Sequence, residues 1–227
     1  MLKVQNLNAG YGPVQVLWDI NLAVSAAEVV CVVGRNGVGK STLLNAIAGL
    51  ADRRSGALSL SGESITQLGT AQRARSGIGY VPQQREICPD LTVEENLLVP
   101  LYALGLEPAK LAAVYDRFVR LKERRYQVAG SLSGGERKLL AFARIMLCSP
   151  KIFLIDEPTE GLMPSAVMEI SGLIAKCRDE GAAVLLVEQN LQVIESVADR
   201  IHLMNSGRID FTLDNFDETQ IVKYLGV

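Results

Sequence analysis

The chain has 227 residues, a formal net charge of −2, four scattered cysteines and one histidine. Its length suits a single domain, or a core with a subdomain, and is too short for two domains of ordinary size. The composition excludes a broad basic surface for nucleic acid, a zinc site built from cysteine and histidine, and a membrane-spanning helix, which needs about twenty consecutive apolar residues.

The N-terminal residues are predicted to form an antiparallel β layer, because residues 2–25 alternate between strand-like segments and turns. No charged and apolar leader precedes them, so we expect a cytoplasmic protein. Tyr11 lies in a turn, residues 10–13, where an aromatic ring can stack on an adenine. Packing of this ring against the β layer is an equally good interpretation of the sequence.

Residues 34–42 match the phosphate-loop pattern of a glycine, four residues, Gly-Lys and Ser or Thr. The apolar, β-branched run 28–33 before them is typical of a strand buried on both faces, and Leu43, Leu44, Ile47 and Leu50 follow at helical spacing, with Gly49 near the predicted helix end. Backbone N–H groups and a helix N-terminus in this context favour a polyphosphate. We therefore predict a nucleotide site that consists of Gly34, Arg35, Asn36, Gly37, Val38, Gly39, Lys40, Ser41 and Thr42.

Within this loop, two side chains have expected chemical roles. Lys40 is predicted to reach the β- and γ-phosphates of the nucleotide, and the Ser41 hydroxyl is predicted to bind Mg²⁺.

The middle of the chain predicts two short strands, at residues 55–62 and 77–82, and then a helical insert. Gln83 is the first residue of the loop that follows the second of these strands and leads into the insert. Within the insert, a basic run is expected to form a solvated helix face rather than a phosphate or lipid contact: Arg117, Arg120, Lys122, Arg124 and Arg125.

The last third of the chain alternates between helices and strands. Helices are predicted from residue 133 to about 149, at 164–179, at 191–197 and at 217–225, and strands at 151–156, 182–187, 200–205 and 208–213. We therefore predict an α/β fold: a phosphate-loop NTPase core with a mixed parallel sheet, an N-terminal antiparallel β layer and a helical insert subdomain. The whole chain, 1–227, is expected to be one domain, with residues 1–83 and 136–227 in the core and about 84–135 in the insert.

Two carboxylates, Asp156 and Glu157, lie at the carboxyl end of the buried strand predicted from residue 151, where open α/β sheets bind their ligands. Asp156 is predicted to assist Mg²⁺, and Glu157 is placed to orient and polarise an attacking water. Adjacent buried carboxylates are costly without a cation, which disfavours a purely structural turn. Ser133, Gly134 and Gly135 begin the next candidate element, and the sequence leaves an anion site and an ordinary helix N-cap equally open.

In order and spacing, the phosphate loop, Gln83, the Leu-Ser-Gly-Gly-Glu segment 132–136 and the strand 151–157 resemble the ATP-binding cassette (ABC) ATPases. The resemblance covers essentially the whole chain, and the segment 132–135 is its most specific part. It implies ATP and Mg²⁺ as cofactors, with Tyr11 stacked on adenine.

The same resemblance implies roles for several other residues. Gln83 would contact the metal or the water and communicate with a membrane subunit, Asp156 would assist Mg²⁺, and Glu157 would be the catalytic base. Two cassettes would stack head to tail, so that the Ser133 segment of one completes the nucleotide site of the other, with Ser133, Gly134 and Gly135 contacting that nucleotide.

The sequence departs from the family pattern at two positions. Gln189 stands where the family usually has a histidine that contacts the γ-phosphate, and Met163 stands where it usually has an aspartate that crosses to the opposite site. A glutamine amide can donate a hydrogen bond to phosphate but carries no positive charge. His202 lies in a predicted strand and is not expected to substitute, so Gln189 joins Glu157 and Gln83 as a candidate catalytic residue.

Segments 91–97, 160–164 and 187–190 resemble the second ATPase subunit of branched-chain amino acid importers. That branch implies a different ATPase subunit as partner, with a homodimer possible in isolation, together with two membrane permease subunits and, indirectly, a periplasmic or extracellular solute-binding protein. The chain would be peripheral, at the cytoplasmic face of the inner membrane, without a nucleic-acid partner. The alternatives are an importer of urea, amides or aromatic acids, a non-transport cassette that acts on DNA or ribosomes, and a regulatory cassette that only binds nucleotide.

Overall fold

A computed structural model describes residues 1–84 and 86–226. The predicted N-terminal β layer is an antiparallel sheet with the strand order β2-β1-β4-β5. Its strands are β1 (Leu2–Tyr11), β2 (Val14–Val24), β4 (Asp52–Leu60) and β5 (Glu63–Ser64). Alternating apolar residues of this sheet, such as Leu2 and Val4 in β1, face the interior because successive side chains of a strand point to opposite faces.

The second sheet contains the predicted buried strands in the order β10-β9-β3-β8-β7-β6. They are β3 (Val29–Val33), β6 (Ile78–Val81), β7 (Ile152–Asp156), β8 (Ala183–Val187), β9 (Arg200–Asn205) and β10 (Arg208–Leu213). All neighbours pair in parallel except β9 and β10. The carboxyl ends of the parallel strands therefore meet at one edge of the sheet.

The described residues form nine α-helices. They are α1 (Lys40–Ala48), α2 (Thr70–Ser76), α3 (Val93–Leu104), α4 (Leu111–Arg117), α5 (Val119–Glu123), α6 (Gly134–Met146), α7 (Pro164–Asp179), α8 (Leu191–Val197) and α9 (Glu218–Leu225). Helices α3 to α6 come between β6 and β7 in the chain. No helix in this part of the chain is both long and apolar enough to cross a membrane.

Strand β3 explains why its sequence is continuously apolar. Val29, Cys31 and Val33 pack into a core shared with the helices on one side, whereas Val30 and Val32 pack into a second core with α1 and the antiparallel sheet. A strand covered on both faces has no polar side, so the alternation typical of half-exposed strands is absent. The phosphate loop therefore leaves the sheet from a fully buried strand in its interior.

Local sequence explains where the helices begin. Thr92 starts α3 and Ser133 starts α6, and in both cases the hydroxyl and a glutamate three residues later cap each other's backbone N–H groups. Pro164 occupies the first position of α7, where its missing N–H costs nothing. These signals are local, and the bounds of α7 and α8 match the predicted ones.

Three details differ from the sequence-based expectations. Tyr11 is the last residue of β1 rather than a residue of the turn. Leu50 lies beyond α1 and is exposed, because Gly49 ends the helix in a left-handed conformation. Helix α2 was not predicted, since residues 70–76 carry no apolar stripe.

The basic run of the insert is only partly a solvated face. Arg117 binds both carboxylate oxygens of Glu180 at 3.0 and 2.8 Å, and its side chain is mostly buried. Arg124 pairs with Glu136 at 3.0 Å. These partners lie at the end of α7 and in α6, so the run helps to attach α4 and α5 to the rest of the protein.

Candidate nucleotide site

The phosphate loop connects the end of β3 to the first residue of α1, as the sequence predicts. Gly39 precedes the helix with a φ of 109°, a conformation that disfavours every residue except glycine. At Gly34 a Cβ atom would lie 2.3 Å from the carbonyl oxygen of Met204, so a side chain there would collide with β9. The loop geometry therefore requires glycine at both positions.

The Lys40 ammonium is held inside the loop. Its Nζ donates to the carbonyl oxygens of Gly34 at 2.9 Å and Arg35 at 3.1 Å, and the residue is only 5% exposed. The Oε1 atom of Glu157 lies 3.3 Å from the same nitrogen. The loop thus places a buried positive charge beside the carboxyl end of β7.

Asp156 ends β7 next to the loop. Its Oδ1 atom is buried and has no hydrogen-bond partner among residues 1–84 and 86–226, and Tyr80 Oη lies 3.5 Å from Oδ2. Burial raises the pKa of the Asp156 carboxyl, the neighbouring Ser41 hydroxyl opposes this shift, and the Glu157 charge adds to it. An unsatisfied carboxylate oxygen near a hydroxyl suits a hard, oxygen-ligated cation such as Mg²⁺.

A cation at Asp156 and Ser41 would need further ligands. The described part of the chain contains no group of three or more His, Cys, Asp or Glu side chains that could hold a metal. Mg²⁺ is usually held by one or two carboxylates together with waters and substrate phosphates, so the donor set fits a cation that arrives with a phosphate ligand.

Glu157 lies at the centre of the site, where three side chains contact its carboxylate. Its carboxylate accepts hydrogen bonds from Gln189 Nε2 at 2.6 Å and Gln83 Nε2 at 3.0 Å, in addition to the Lys40 contact. The residue is buried and has a φ of 42°, while its backbone N–H donates to the Val187 carbonyl oxygen at 2.9 Å. Left-handed backbone at a residue other than glycine costs about 1–3 kcal/mol and is concentrated at functional sites.

Gln189 connects the phosphate loop to Glu157. Its Nε2 donates to Asn36 Oδ1 at 2.8 Å as well as to Glu157. The preceding Glu188 is buried and accepts from the backbone N–H groups of Gln189 and Asn190 at 2.7 and 3.0 Å. Its second oxygen accepts from Thr159 Oγ1 at 2.7 Å, so the turn that carries Gln189 is fixed to the turn after β7.

The sequence did not indicate Glu188 and Thr159, which connect the turn after β8 to the turn after β7. The available signal was an acidic residue directly after a buried strand adjacent to β7, the same signal that identified Asp156.

Gln83 reaches the site from the end of β6. Besides Glu157, its Nε2 contacts Glu160 Oε2 at 2.7 Å, and its carbonyl oxygen accepts from Lys138 Nζ at 2.8 Å. Lys138 is buried on α6 and also pairs with Glu86 at 3.5 Å. Neither Glu160 nor Lys138 was a candidate from sequence, because the contacts span 77 and 55 residues of chain.

Tyr11 lies beside α1 at the entrance to the site. Asn45 of α1 donates to the Tyr11 hydroxyl at 2.9 Å, and the tyrosine side chain is 43% exposed. The next residue, Gly12, is fixed at both its N–H and its carbonyl by Asp52 at 2.9 Å and Arg54 at 2.6 Å. The ring is therefore held on a fixed backbone while much of its surface faces solvent.

The segment of Ser133, Gly134 and Gly135 lines a different cleft from the one that Ser41 of the phosphate loop lines. No hydrogen bond or ion pair within the described residues joins it to residues 34–42, and it lines a cleft of about 300 Å³ together with Gly161 and Met163. Ser133 donates to Glu136 Oε2 from both its hydroxyl, at 2.8 Å, and its backbone, at 2.9 Å. These bonds lower the pKa of Glu136 and make the segment an N-cap within this chain.

His202 lies in β9, as predicted, and not at the site. Its Nδ1 is 2.8 Å from Thr212 Oγ1, and its buried Nε2 has no partner among the residues that the structure describes. Burial lowers its pKa to about 4, and the neighbouring Arg200 adds to this effect.

Comparison with known proteins identifies the group to which this arrangement belongs. The family model described as "ABC transporter" matches residues 17–160, which include the phosphate loop, the segment 133–135 and Glu157. The chain is a member of the ATP-binding cassette family. It is accordingly an ATPase subunit of the transporter type, and the predicted α/β fold is confirmed.

Three curated relatives illustrate the degree of similarity. The chain is 38% identical over 211 residues to the high-affinity branched-chain amino acid transport ATP-binding protein BraG of Pseudomonas aeruginosa, covering 92% of the chain and 91% of that protein. It is 40% identical over 214 residues to the probable branched-chain amino acid transport ATP-binding protein LivF of Archaeoglobus fulgidus, covering 93% and 91%. A lipopolysaccharide export ATP-binding protein of Escherichia coli is 33% identical over 213 residues.

Solved structures agree with the fold. A nucleotide-free ATP-binding cassette from an ABC transporter superposes with a TM-score of 0.86 at 25% identity, covering 99% of this chain and 94% of that one. A cassette described as an ADP conformation gives a TM-score of 0.85 at 26% identity, covering 100% and 94%. A cassette described as a dimeric post-hydrolysis state with ADP and phosphate gives 0.85 at 25% identity, covering 96% and 100%.

Proposed function

We propose that the chain is the ATP-hydrolysing motor subunit of an ABC importer for branched-chain amino acids. The observation that carries the catalytic part is the position of Glu157, whose carboxylate lies between Lys40 of the phosphate loop and the amides of Gln83 and Gln189. The solute assignment is supported by the names of the two relatives at 38% and 40% identity and by the branch-specific segments of the sequence.

Nucleotide binding is proposed to use the loop and the tyrosine beside it. Tyr11 stacks on the adenine, the backbone N–H groups of residues 34–42 surround the phosphates, and Lys40 exchanges its contacts with loop carbonyls for the β- and γ-phosphate oxygens. Ser41 and Asp156, with the Gln83 side chain, hold Mg²⁺, which when bound neutralises charge on those oxygens. The observation in favour of this metal site is Asp156 Oδ1, which is buried and has no hydrogen-bond partner among the described residues.

Hydrolysis is proposed to use Glu157 as general base. The carboxylate accepts a proton from the attacking water, and the water oxygen forms its bond to the γ-phosphorus as the bond to the leaving oxygen of ADP breaks. Gln189 orients Glu157 through one Nε2 proton, and its second proton, which Asn36 Oδ1 accepts, would pass to a γ-phosphate oxygen when ATP binds. An amide does this without a charge, so the site does not depend on a protonated imidazole.

The complete site is proposed to need a second cassette. The segment of Ser133, Gly134 and Gly135 begins a helix whose first N–H groups suit an anion, yet no bond in the described chain connects it to its own phosphate loop. In a head-to-tail pair it would contact the partner's nucleotide, and one relative is described as dimeric. The pair would bind two permease subunits at the cytoplasmic face of the membrane, with a solute-binding protein outside.

The role of Glu157 is tested by Glu157→Gln in the purified chain assembled with its partners. We expect ATP binding within about twofold of the unaltered protein and hydrolysis reduced by about a hundredfold or more, because a positioned general base contributes about that factor. Glu195→Gln, an exposed glutamate on α8, is the matched control. Hydrolysis at the normal rate in Glu157→Gln would contradict the assignment of the base.

The solute is tested by reconstituting the cassettes with the co-purified permeases and binding protein in vesicles. We expect leucine, isoleucine or valine on the binding-protein side to stimulate hydrolysis, and Gln83→Ala to reduce this stimulation more than it reduces ATP binding. Stimulation by urea, amides or aromatic acids alone would replace the assigned solute. Recovery of ribosomes or DNA without membrane subunits would contradict the transport function.

A further inference from the structure

The Gln83 amide is held by two carboxylates at once. A glutamine side chain has two N–H donors on Nε2, and here that nitrogen contacts Glu157 Oε2 at 3.0 Å and Glu160 Oε2 at 2.7 Å. Only the nitrogen can donate to carboxylates, so these two acceptors also decide which way the amide is turned. Among the described contacts, the Oε1 atom is the remaining hydrogen-bonding or metal-binding group of the Gln83 side chain.

The cleft beside Gln83 contains the predicted metal ligands. Gln83, Ser41 and Asp156 line one cleft of about 910 Å³ between the core and α6. The backbone of Gln83 is fixed there as well, since Lys138 donates to its carbonyl oxygen at 2.8 Å. With the backbone anchored and both amide protons engaged, Oε1 is the atom of Gln83 that remains for a cation in this cleft.

We propose that Glu160 is a positioning residue, which turns the Gln83 amide so that Oε1 faces the Mg²⁺–ATP complex. Glu157 alone would not fix the amide, because it accepts only one of the two Nε2 protons and is the group that takes the proton from water. Glu160 is exposed and engages Gln83 at the shorter of the two distances. This inference rests on the proposed function, because it assigns a role relative to the proposed metal.

Loss of Glu160 is expected to weaken metal binding and not nucleotide binding. Loss of the Glu160 carboxylate leaves Gln83 able to rotate, which weakens metal binding in the presence of nucleotide but leaves the phosphate loop and Tyr11 intact. Metal-free nucleotide affinity therefore stays unchanged. Glutamine at position 160 retains an acceptor oxygen and keeps most of the effect, whereas alanine does not.

The experiment measures metal binding without turnover. Mn²⁺ is titrated by electron paramagnetic resonance into the protein saturated with a non-hydrolysable ATP analogue. We expect Glu160→Ala to raise the Mn²⁺ dissociation constant by about tenfold, as for the loss of a hydrogen bond to a charged group, and Glu160→Gln to stay within about threefold. Glu63→Ala, an exposed glutamate of β5, is the control, and circular dichroism establishes that each variant is folded.

A double-mutant cycle separates positioning from a general loss of stability. In the Gln83→Ala background, Glu160→Ala is expected to have no further effect on Mn²⁺ binding, because the group that it positions is gone. Equal Mn²⁺ affinity in Glu160→Ala and the unaltered chain, or full additivity in the cycle, would overturn the role of Glu160 alone. Absence of any nucleotide-dependent Mn²⁺ binding by the unaltered chain would overturn the proposed metal site as well.

Discussion

Replacement of Gln189 by alanine tests whether an amide has taken the place that the family usually gives to histidine. The change removes the 2.6 Å bond to Glu157 Oε1 and the 2.8 Å bond to Asn36 Oδ1. Glu157 then keeps the Lys40 and Gln83 contacts but is no longer connected to the far side of the phosphate loop. We expect the carboxylate to lose orientation, whereas nucleotide binding depends mainly on groups that remain.

The size of the effect follows from the bond to Glu157. A hydrogen bond to a charged group contributes about 1.5–3 kcal/mol, and each 1.36 kcal/mol of transition-state stabilisation corresponds to about a tenfold change in rate. The bond to Asn36 is exposed and exchanges for water at little cost. Gln189→Ala should therefore lower kcat by about ten- to hundredfold and change the nucleotide dissociation constant by less than about twofold.

The assay is steady-state ATP hydrolysis by the assembled complex, with Gln192→Ala on α8 as the matched control because that glutamine is exposed. The pH profile provides a second readout. The unaltered protein should lack an ionisation near pH 6.5 from this position, whereas Gln189→His should introduce one, since imidazole titrates there. A kcat of Gln189→Ala equal to that of Gln192→Ala, or a Gln189→His pH profile without an ionisation near pH 6.5, would refute the reasoning.

Two further predictions concern stability. Burial lowers the pKa of His202 from 6.5 to about 4, so the unfolded chain binds the proton first as the pH falls. Above pH 6.5 the ring is neutral in both states and costs no stability. As the pH falls from 6.5 to 4, protonation of the unfolded chain lowers the free energy of unfolding, by about 2 kcal/mol at pH 5. Urea denaturation at pH 7 and pH 5 should accordingly give a smaller pH-dependent loss for His202→Leu, and an identical loss would contradict the assignment. Gly34→Ala should destabilise the protein and prevent nucleotide binding because its Cβ meets the Met204 carbonyl. Gly172→Ala, in open space on α7, should raise the free energy of unfolding by about 0.5–1 kcal/mol; the opposite order of these two variants in thermal denaturation would contradict the contact.

Much of the fold could be predicted from sequence because its signals are local. The apolar runs of β3, β7 and β8 indicate strands that are covered on both faces, and the glycine pattern at 34–42 indicates the turn that a phosphate site needs. The segment that begins at Ser133 predicts the start of α6, and the structure has a capping box there. The sequence does not predict helix α2, because a short helix without an apolar stripe has no periodic hydrophobic pattern.

The candidate site could be predicted only as a set of residues at the ends of strands. The sequence places Asp156 and Glu157 after one buried strand and Gln189 after another, and parallel pairing brings these ends together. Their individual roles in this chain remain predictions that the variants above test.

The sequence by itself determined the α/β architecture, the position of the phosphate loop and the family of the chain, because periodicity, glycine placement and motif spacing are properties of short segments. Only the tertiary structure decided which side chains meet. Gln189 contacts Asn36 across 153 residues, and Gln83 contacts Glu160 across 77. Such contacts depend on the register of β7, β8 and β3 and on the turn that gives Glu157 its left-handed backbone. No local pattern encodes them, since each requires the whole sheet to form first.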